Sequence, residues 1–481
     1  MPTFASTNPA RPHEIVIELP HHGPDDVDRA VASAAAAQRA WSRRPIPERA
    51  EAIARVGEVL AARKAALADL VSREAGKVRI EAGGEVQEAI DMAAFVAGQG
   101  RAAMGEVVPS ELAHKLAWTT RIPIGVVGMI TPWNFPVAIP SWKVFPALLA
   151  GNGVVIKPSE LAPACAVAFV EACVDADIPL DLVQVVHGAA EPGAALSVHP
   201  GVGAVSFTGS VPTGRLVASA AMAHGPKVVS LELGGKNAMV VLDDADVDLA
   251  VDGALFGAFG SAGQRCTSTS RLVVQRGIAS TLLDRLADRT LGLRLGDPLD
   301  PETDVGPVIT NRSGQRIMSM VEAAVADGAT ILTGGGLRVD VPACDGGTFV
   351  EPTILVGMRT RQRAAREEIF GPVLSVIEVD DLDEAVEVVN GVELGLSASI
   401  YTRSIDRALL GVEAIDTGIT YVNAPTIGAE IPLPFGGTKH TGNGFREAGA
   451  RGIEQFSQIK TVYVDYSGRL QRAQIDNRAD P

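Results

Sequence analysis

The chain has 481 residues, 47% of them apolar, and a formal net charge of −15 at pH 7. Its length fits about two to four domains or subdomains. Acidic balance with no Lys/Arg block longer than a couple of residues argues against nucleic acid and anionic membranes as partners.

The first 20 residues lack an apolar core of the signal-peptide kind, so a cytoplasmic location is expected. Residues 25–76 read as helix: Ile53, Val56, Val59 and Leu60 recur at three- and four-residue spacing, and Gly76 ends the run. Residues 85–98 continue in helix. The segment 112–122 alternates apolar and polar residues like an amphipathic strand. Residues 122–156 carry Lys143 as their one charge. Pro132, Pro136, Pro140 and Pro146 make this stretch a buried, turn-rich core and not a membrane span.

From residue 125 the pattern alternates. Strand-like 125–131, 153–157, 182–186 and 204–207 are separated by helix-like 137–150 and 162–175 and a further helical stretch. Strands alternating with helices imply right-handed crossovers and a parallel sheet, a doubly wound nucleotide-binding layout. A second α/β run begins near Gly235 and includes 238–242, 271–274, 373–379 and 398–401. The tail 459–466 alternates like 112–122, and both look like edge strands that invite pairing with another subunit. Residues 467–481 are polar and read as a mobile arm. The cysteines, Cys165, Cys173, Cys266 and Cys344, show no CxxC spacing and are expected in segments of different kinds. Free thiols of a reducing compartment follow, with neither a disulfide framework nor a metal site.

Three polar residues have unusual surroundings. Cys266 lies in the small, polar run Gly263-Gln264-Arg265-Cys266-Thr267-Ser268, where it is either a packing cysteine or a nucleophile. Glu232 stands between Leu231 and Leu233 before Gly234-Gly235-Lys236, as a salt-bridged group or as a base with a raised pKa. Asn134, in Thr131-Pro132-Trp133-Asn134-Phe135-Pro136, either shapes a turn or donates hydrogen bonds. Phe207-Thr208-Gly209-Ser210 follows a strand and precedes a helix, where backbone N–H groups can hold a pyrophosphate. It is neither the G-x-G-x-x-G fingerprint nor a Walker A loop. Lys157-Pro158-Ser159-Glu160 ends a strand, where open α/β sheets bind ligands.

Taken together with Glu368-Ile369-Phe370-Gly371-Pro372-Val373, these segments stand in the order and at about the spacings of the aldehyde dehydrogenase superfamily, which the chain resembles from its first helices to Tyr466. The resemblance implies an α/β fold with two doubly wound domains and a small β oligomerisation arm. It places an NAD(P)-binding domain at 1–110 and 124–233, a catalytic domain at 234–435, and bridging segments at 111–123 and 436–481. A homodimer or homotetramer is implied.

The resemblance also implies roles. Cys266 attacks the aldehyde, and Asn134 with the Cys266 backbone N–H holds the oxyanion. Hydride passes to the nicotinamide, and Glu232 activates the water that hydrolyses the thioester. Glu232 is absent from the motif of the coenzyme A-acylating branch, so a free acid is the expected product. Lys143 and Glu447 match a proton relay, and a structural ion pair serves equally well. Thr131, Pro132, Trp133, Lys157, Ser159, Glu160, Phe207, Thr208, Gly209, Ser210, Leu233, Gly234, Glu368 and Phe370 are the expected cofactor residues. Glu160 would repel a 2′-phosphate, so NAD is preferred, with NADP as the alternative. Glu88, Phe135, Trp142, Arg265, Thr267, Gly428, Ala429 and Phe435 are the expected substrate walls.

Gly84-Glu85-Val86-Gln87-Glu88, Gly428-Ala429-Glu430-Ile431 and Lys439-His440-Thr441-Gly442 look like the α-aminoadipic semialdehyde dehydrogenase branch. The chain departs from that branch at Thr131-Pro132-Trp133, around Pro432-Leu433-Pro434 and at Phe445. The substrate expected is therefore an aldehyde bearing a carboxylate, held by Arg265. Rival readings are a thiol esterase using Cys266 and a catalytically silent binding protein of dehydrogenase descent.

Overall fold

The structure, a computed structural model, describes residues 2–102 and 104–475. The runs Val126–Thr131 and Gly153–Pro158 are apolar almost to their ends, the pattern of strands covered on both faces. Every residue of both is buried. They pair in parallel at the centre of a five-stranded sheet. Its order is Val183–Val185, Gly153–Pro158, Val126–Thr131, Ala204–Thr208, Val228–Glu232. By position in the chain this is 3-2-1-4-5, so the direction of winding reverses between Val126–Thr131 and Ala204–Thr208. A crevice forms outside the carboxyl ends of strands at such a reversal.

The second sheet has seven strands: Thr330–Thr333, Thr353–Val356, Val373–Val379, Arg271–Gln275, Ala238–Val241, Ser397–Tyr401 and Ile419–Val422. All neighbours are parallel except the first pair. Each sheet has its own buried apolar core. A third, small sheet stands apart. Lys115–Pro123 pairs antiparallel along its whole length with Ser457–Asp465, and Val107–Val108 lies on its other side. Among the described residues the outer edge of Ser457–Asp465 has no strand neighbour, and Ile459 and Tyr463 on it are exposed.

The structure differs from the sequence expectation in six places. Residues 25–76 form three helices, Pro24–Trp41, Ile46–Ala62 and Lys64–Ala75, not one. Pro45 breaks the first junction, since proline lacks an N–H and disfavours helix in its predecessor, and Pro47 sits in the first turn of the second helix, where its missing N–H costs nothing. Arg63 (φ −100°, ψ 5°) marks the second. Gly76 does end the run, with φ 75°. The next helix begins at Arg79, ahead of residue 85, with the weak helix formers Gly83 and Gly84 inside it. The strand expected at 112–122 begins at Lys115. Cys165 and Cys173 share one helix, Pro163–Asp175. The polar N-terminus forms a hairpin, Thr3–Asn8 with Arg11–Pro20, that no alternation announced. Of the tail expected to be a mobile arm, Gln471 Nε2 donates to the Ala113 carbonyl at 2.7 Å. Residues 476–481 lie outside the described residues. Among the described residues no helix is long and apolar enough to cross a membrane.

Candidate active site

Residues at and just past the carboxyl ends of three strands of the first sheet meet connections of the second around a cavity of about 1110 Å³. Pro132, Trp133, Asn134 and Phe135 follow one strand, Thr208 ends another with Gly209 and Ser210 after it, and Glu232 ends a third with Leu233 and Gly234 after it. Arg265, Cys266, Thr267, Glu368 and Phe370 face them, and Glu88, Trp142, Gly428, Ala429, Phe435 and Glu447 complete the predicted part of the wall. Thr131, Lys143, Lys157, Ser159, Glu160 and Phe207 are off this wall.

Cys266 follows the helix Val247–Phe259 and a tight turn, Gly260–Gly263. Ser261 and Ala262 have φ of 52° and 53°, and Gly263 follows at 65°. Such backbone costs a non-glycine residue about 1–3 kcal/mol and persists only where its surroundings hold it. A Cβ at Gly263 would lie 2.2 Å from the Gly371 carbonyl oxygen, which closes that position to side chains. Beyond the bend the chain is pinned. Asn134 Nδ2 donates to the Gln264 carbonyl at 3.0 Å, and Asn237 Nδ2 to the carbonyls of Cys266 and Ser268 at 2.8 and 2.9 Å. Cys266 is partly open to the cavity, whereas Cys165, Cys173 and Cys344 are buried.

Burial, then the carboxylates of Glu368, Glu232 and Glu447, push the Cys266 thiol up to about 12. Only the thiolate is reactive. Alkylation by iodoacetamide without cofactor should therefore climb about tenfold per pH unit between about pH 7 and 9. A rate that levels off below pH 8 would contradict the burial effect.

Glu232 ends the strand Val228–Glu232 and is buried, and among the described residues neither carboxylate oxygen has a hydrogen-bond partner. A buried polar group left this way is costly. Burial holds its pKa well above the usual carboxylate range and Glu447 adds to this, while Lys143 and Arg446 oppose it. Gly436 makes room for the carboxylate: a Cβ there would stand 2.7 Å from Glu232 Oε1. Lys143, fully buried, is ion-paired with Glu447 and donates to Ser206 Oγ at 2.7 Å. Glu447 reaches the cavity on a two-way backbone bridge with Phe435, at 2.7 and 2.8 Å.

On the cofactor side, Ser210 precedes the helix Val211–Ala223, whose first N–H groups point out of the strand end. Thr208 Oγ1 and Thr131 Oγ1 are buried without partners among the described residues. Lys157 Nζ lies 3.4 Å from Glu160, which is 43% exposed at its side chain, and Ser159 Oγ accepts the Leu161 N–H at 3.2 Å. Glu368 accepts the Gly235 N–H at 3.2 Å, and burial raises it to about 7 against the pull of that N–H, Lys236 and Arg316. A Cβ at Gly234 would come within 2.1 Å of Glu368 Oε2, and one at Gly235 within 2.6 Å of the Cys266 carbonyl. Trp133 and Phe370 meet edge to face with centroids 5.6 Å apart. A sheet reversal, a helix start with unused hydroxyls beside it, and carboxylates able to hold ribose hydroxyls fit a dinucleotide.

The opposite end of the cavity is aromatic. Trp142 and Phe435 pack edge to face at 5.1 Å. Lys77 Nζ lies 3.3 Å from the centroid of the Phe135 ring, and the Arg265 guanidinium 5.6 Å from it. Arg265, expected to hold the substrate carboxylate, is already engaged by protein groups. Its Nη2 pairs with Glu81 at 3.1 Å and its Nε donates to Ser261 Oγ at 3.1 Å. Among the described residues Nη1 has no recorded protein partner. Glu88 is pushed up to about 7 by burial and Glu85, against Lys77 and Arg265.

Five residues that patterning does not single out hold this site: Lys77, Glu81, Glu85, Asn237 and Gln264. The three glutamates Glu81, Glu85 and Glu88 recur at four- and three-residue spacing on one helix face, a signal that could have found them. Asn237 carries none. Among the described residues no group of three or more His, Cys, Asp or Glu is placed to hold a metal.

The profile described as "Aldehyde dehydrogenase family" matches residues 2–462. The chain is 40% identical over 460 residues to alpha-ketoglutaric semialdehyde dehydrogenase of Bacillus subtilis, covering 95% of this chain and 93% of that one. It superimposes on the crystal structure of NAD-dependent aldehyde dehydrogenase from Sinorhizobium meliloti with a TM-score of 0.94 at 38% identity, covering 98% and 93% of the two chains. Betaine aldehyde dehydrogenase from Staphylococcus aureus, solved in complex with NAD+, gives 0.94 at 32% identity over 97% and 93%.

Proposed function

Because the chain belongs to the aldehyde dehydrogenase family, and so oxidises an aldehyde with NAD(P), we propose that its substrate is a semialdehyde bearing a carboxylate. We further propose that Cys266, Asn134 and Glu232 carry the reaction. The observation that carries the proposal is the Glu232 carboxylate, buried at the cavity with both oxygens unpartnered and a raised pKa. A carboxylate kept dry in this way is suited to take a proton from water.

Cys266, as the thiolate, adds through Sγ to the aldehyde carbon as the carbonyl π bond breaks, and the Asn134 amide with the Cys266 N–H receives the oxyanion. When bound, the nicotinamide ring supplies the acceptor for the hydride. Glu232 then takes a proton from the water that attacks the Cys266 thioester, the C–S bond breaks, and the Cys266 thiolate is released with the carboxylic acid while the proton stays on Glu232. The buried pair Lys143 and Glu447, electrostatically linked to Glu232, is placed to pass that proton on.

The cofactor would be held by Thr208, Gly209 and Ser210 at the pyrophosphate, by Trp133 beside them, and by Glu368 with Phe370 at the nicotinamide ribose. Thr131, Pro132, Phe207, Leu233 and Gly234 shape that crevice. NAD is preferred over NADP, because the exposed Glu160 carboxylate would repel a 2′-phosphate, with Lys157 and Ser159 beside it. The cofactor unit comprises 1–110 and 124–233, the catalytic unit 234–435, and the bridging segments 111–123 and 436–481. The open edge of Ser457–Asp465 supports a homodimer or a dimer of dimers. A cytoplasmic location accords with free thiols.

The substrate class rests on Arg265, whose Nη1 remains for a carboxylate, and on the name of the Bacillus relative. A second reading has a specific basis. Glu88 lines the cavity, and its ionised form would suit a cationic aldehyde, as the name of the Staphylococcus enzyme suggests. Reduced-cofactor formation should be compared for α-ketoglutaric and succinic semialdehydes, betaine aldehyde and hexanal. The semialdehydes should lead, and Arg265→Ala should lower their kcat/KM by about 10- to 100-fold, the loss of one charged hydrogen bond, with hexanal within threefold. A lead for betaine aldehyde, abolished in Glu88→Gln, would favour the second reading.

A further inference from the structure

The helix Arg79–Gly98 touches both halves of the oxyanion site with acidic side chains one turn apart. Glu81 grips the nucleophile loop. Its two oxygens accept the Ser261 N–H, both at 2.9 Å, as well as Ser261 Oγ at 3.1 Å and Arg265 Nη2 at 3.1 Å. Glu85 grips the other half. Its Oε1 accepts the N–H groups of Val137 and Ala138, at 2.8 and 3.3 Å, at the start of the helix that follows Asn134. Its Oε2 is bound by Lys77 at 2.5 Å, and the Glu85 side chain is 0% exposed.

These contacts fall at mechanically decisive places. Ser261 and Ala262 are consecutive left-handed residues without the freedom of glycine, and the Ser261 N–H that Glu81 holds lies inside that bend. Five residues on is Cys266, whose N–H is one of the two proposed oxyanion donors. Val137 lies three residues beyond Asn134, the other donor. A helix is stiff, and residues four apart lie on one face. The two carboxylates are therefore fixed relative to each other, and each fixes one donor segment. Asn134 Nδ2 bonded to the Gln264 carbonyl closes the frame from the far side.

We propose that the Arg79–Gly98 helix is the spacer of the oxyanion site, with Glu81 and Glu85 as positioning residues that set the separation of the Asn134 amide and the Cys266 N–H. This rests on the reading of those two groups as the oxyanion donors. Neither glutamate touches the reacting atoms. Their contribution appears where negative charge develops on the substrate oxygen and not where the thiol merely reacts.

The test uses the full-length enzyme and three readouts: aldehyde oxidation with NAD, hydrolysis of p-nitrophenyl acetate, and alkylation of Cys266 by iodoacetamide. The first two form an oxyanion, and the third does not. Glu81→Ala should lower kcat of both oxyanion reactions about 30- to 100-fold, the scale of a misplacement near 1 Å. Alkylation should stay within threefold of wild type. Glu81→Gln keeps an oxygen for the Ser261 N–H and should recover to within about fivefold. Glu85 is tested by Lys77→Met with Glu85→Gln, which removes both buried charges together so that the fold survives. It should behave as Glu81→Gln does. The proposal is overturned if Glu81→Ala retains kcat within threefold of wild type. It is equally overturned if alkylation falls in step with turnover, since that is plain disorder of the loop. Asn134→Ala separates the two levels. Full oxyanion activity in that variant sinks the donor reading itself, whereas a defect there with Glu81→Ala intact sinks only the spacer.

Discussion

Glu232→Gln is expected to release one equivalent of reduced cofactor quickly and then almost nothing. The amide matches the carboxylate in size, so the buried space beside Gly436 stays filled, and attack by the Cys266 thiolate, once formed, takes no proton at this position. What is lost is the group that takes the proton from water, so the thioester should accumulate. Steady-state turnover should fall about 10²- to 10⁴-fold, the usual reach of a general base. Rapid mixing would show the burst, and intact-mass measurement the acylated protein. A variant that lost the burst along with steady turnover would remove Glu232 from deacylation. The pH dependence has a definite sign. The Glu232 carboxyl is held well above the ordinary range by burial and by Glu447, so at low pH it is protonated and cannot act as base. Turnover of wild type should rise with pH on an acid limb displaced upward from ordinary carboxylates, and that limb should vanish in the steady state of Glu232→Gln.

Lys143→Met should be the most destabilising of the single changes considered. Lys143 and Glu447 are 0% and 2% exposed at their side chains, so the charge left behind is almost wholly shielded from water. Removing one partner of a buried pair costs about 3–5 kcal/mol, whereas replacing both with apolar groups is often neutral. The double variant Lys143→Met with Glu447→Leu should therefore unfold at nearly the denaturant concentration of wild type, and the single variant well below it. A loss under about 1 kcal/mol in the single variant, measured by urea titration, would mean that Glu447 protonates at little cost. The activity should respond too. Lys143 opposes the rise in the Glu232 pKa, so its loss moves the acid limb of turnover further upward.

The parallel sheets were legible because buried strands carry their apolar runs openly, as Val126–Thr131 and Gly153–Pro158 do. The first helical region was legible in kind but not in division, since the apolar spacing carries on across Pro45 and Arg63 while the backbone does not. The terminal hairpin was silent because Arg11–Pro20 is only half-buried and never alternates cleanly. At the site, the most readable segment was Glu232-Leu233-Gly234-Gly235, and packing explains why. The Cys266 carbonyl approaches Gly235 so closely that a Cβ there would press on backbone, and a Cβ at Gly234 would displace the Glu368 carboxylate. The occupancy of Arg265 by Glu81 could not be read, because an ion pair between residues 184 apart leaves no local pattern.

The amide of Asn134 already spends one hydrogen on the Gln264 carbonyl. An amide nitrogen has two, so the same side chain can tether the loop and still donate to substrate. Truncating it removes both at once. The kinetic loss in Asn134→Ala would then exceed the value of the donor alone, and subtracting it from the total rate enhancement would count the tether as catalysis. Asn134→Asp is no cleaner, because a carboxylate would meet the Gln264 oxygen with repulsion. The separate worth of the two hydrogens is a coupling, accessible only by comparing variants of Asn134 in backgrounds where the loop is and is not held by Glu81.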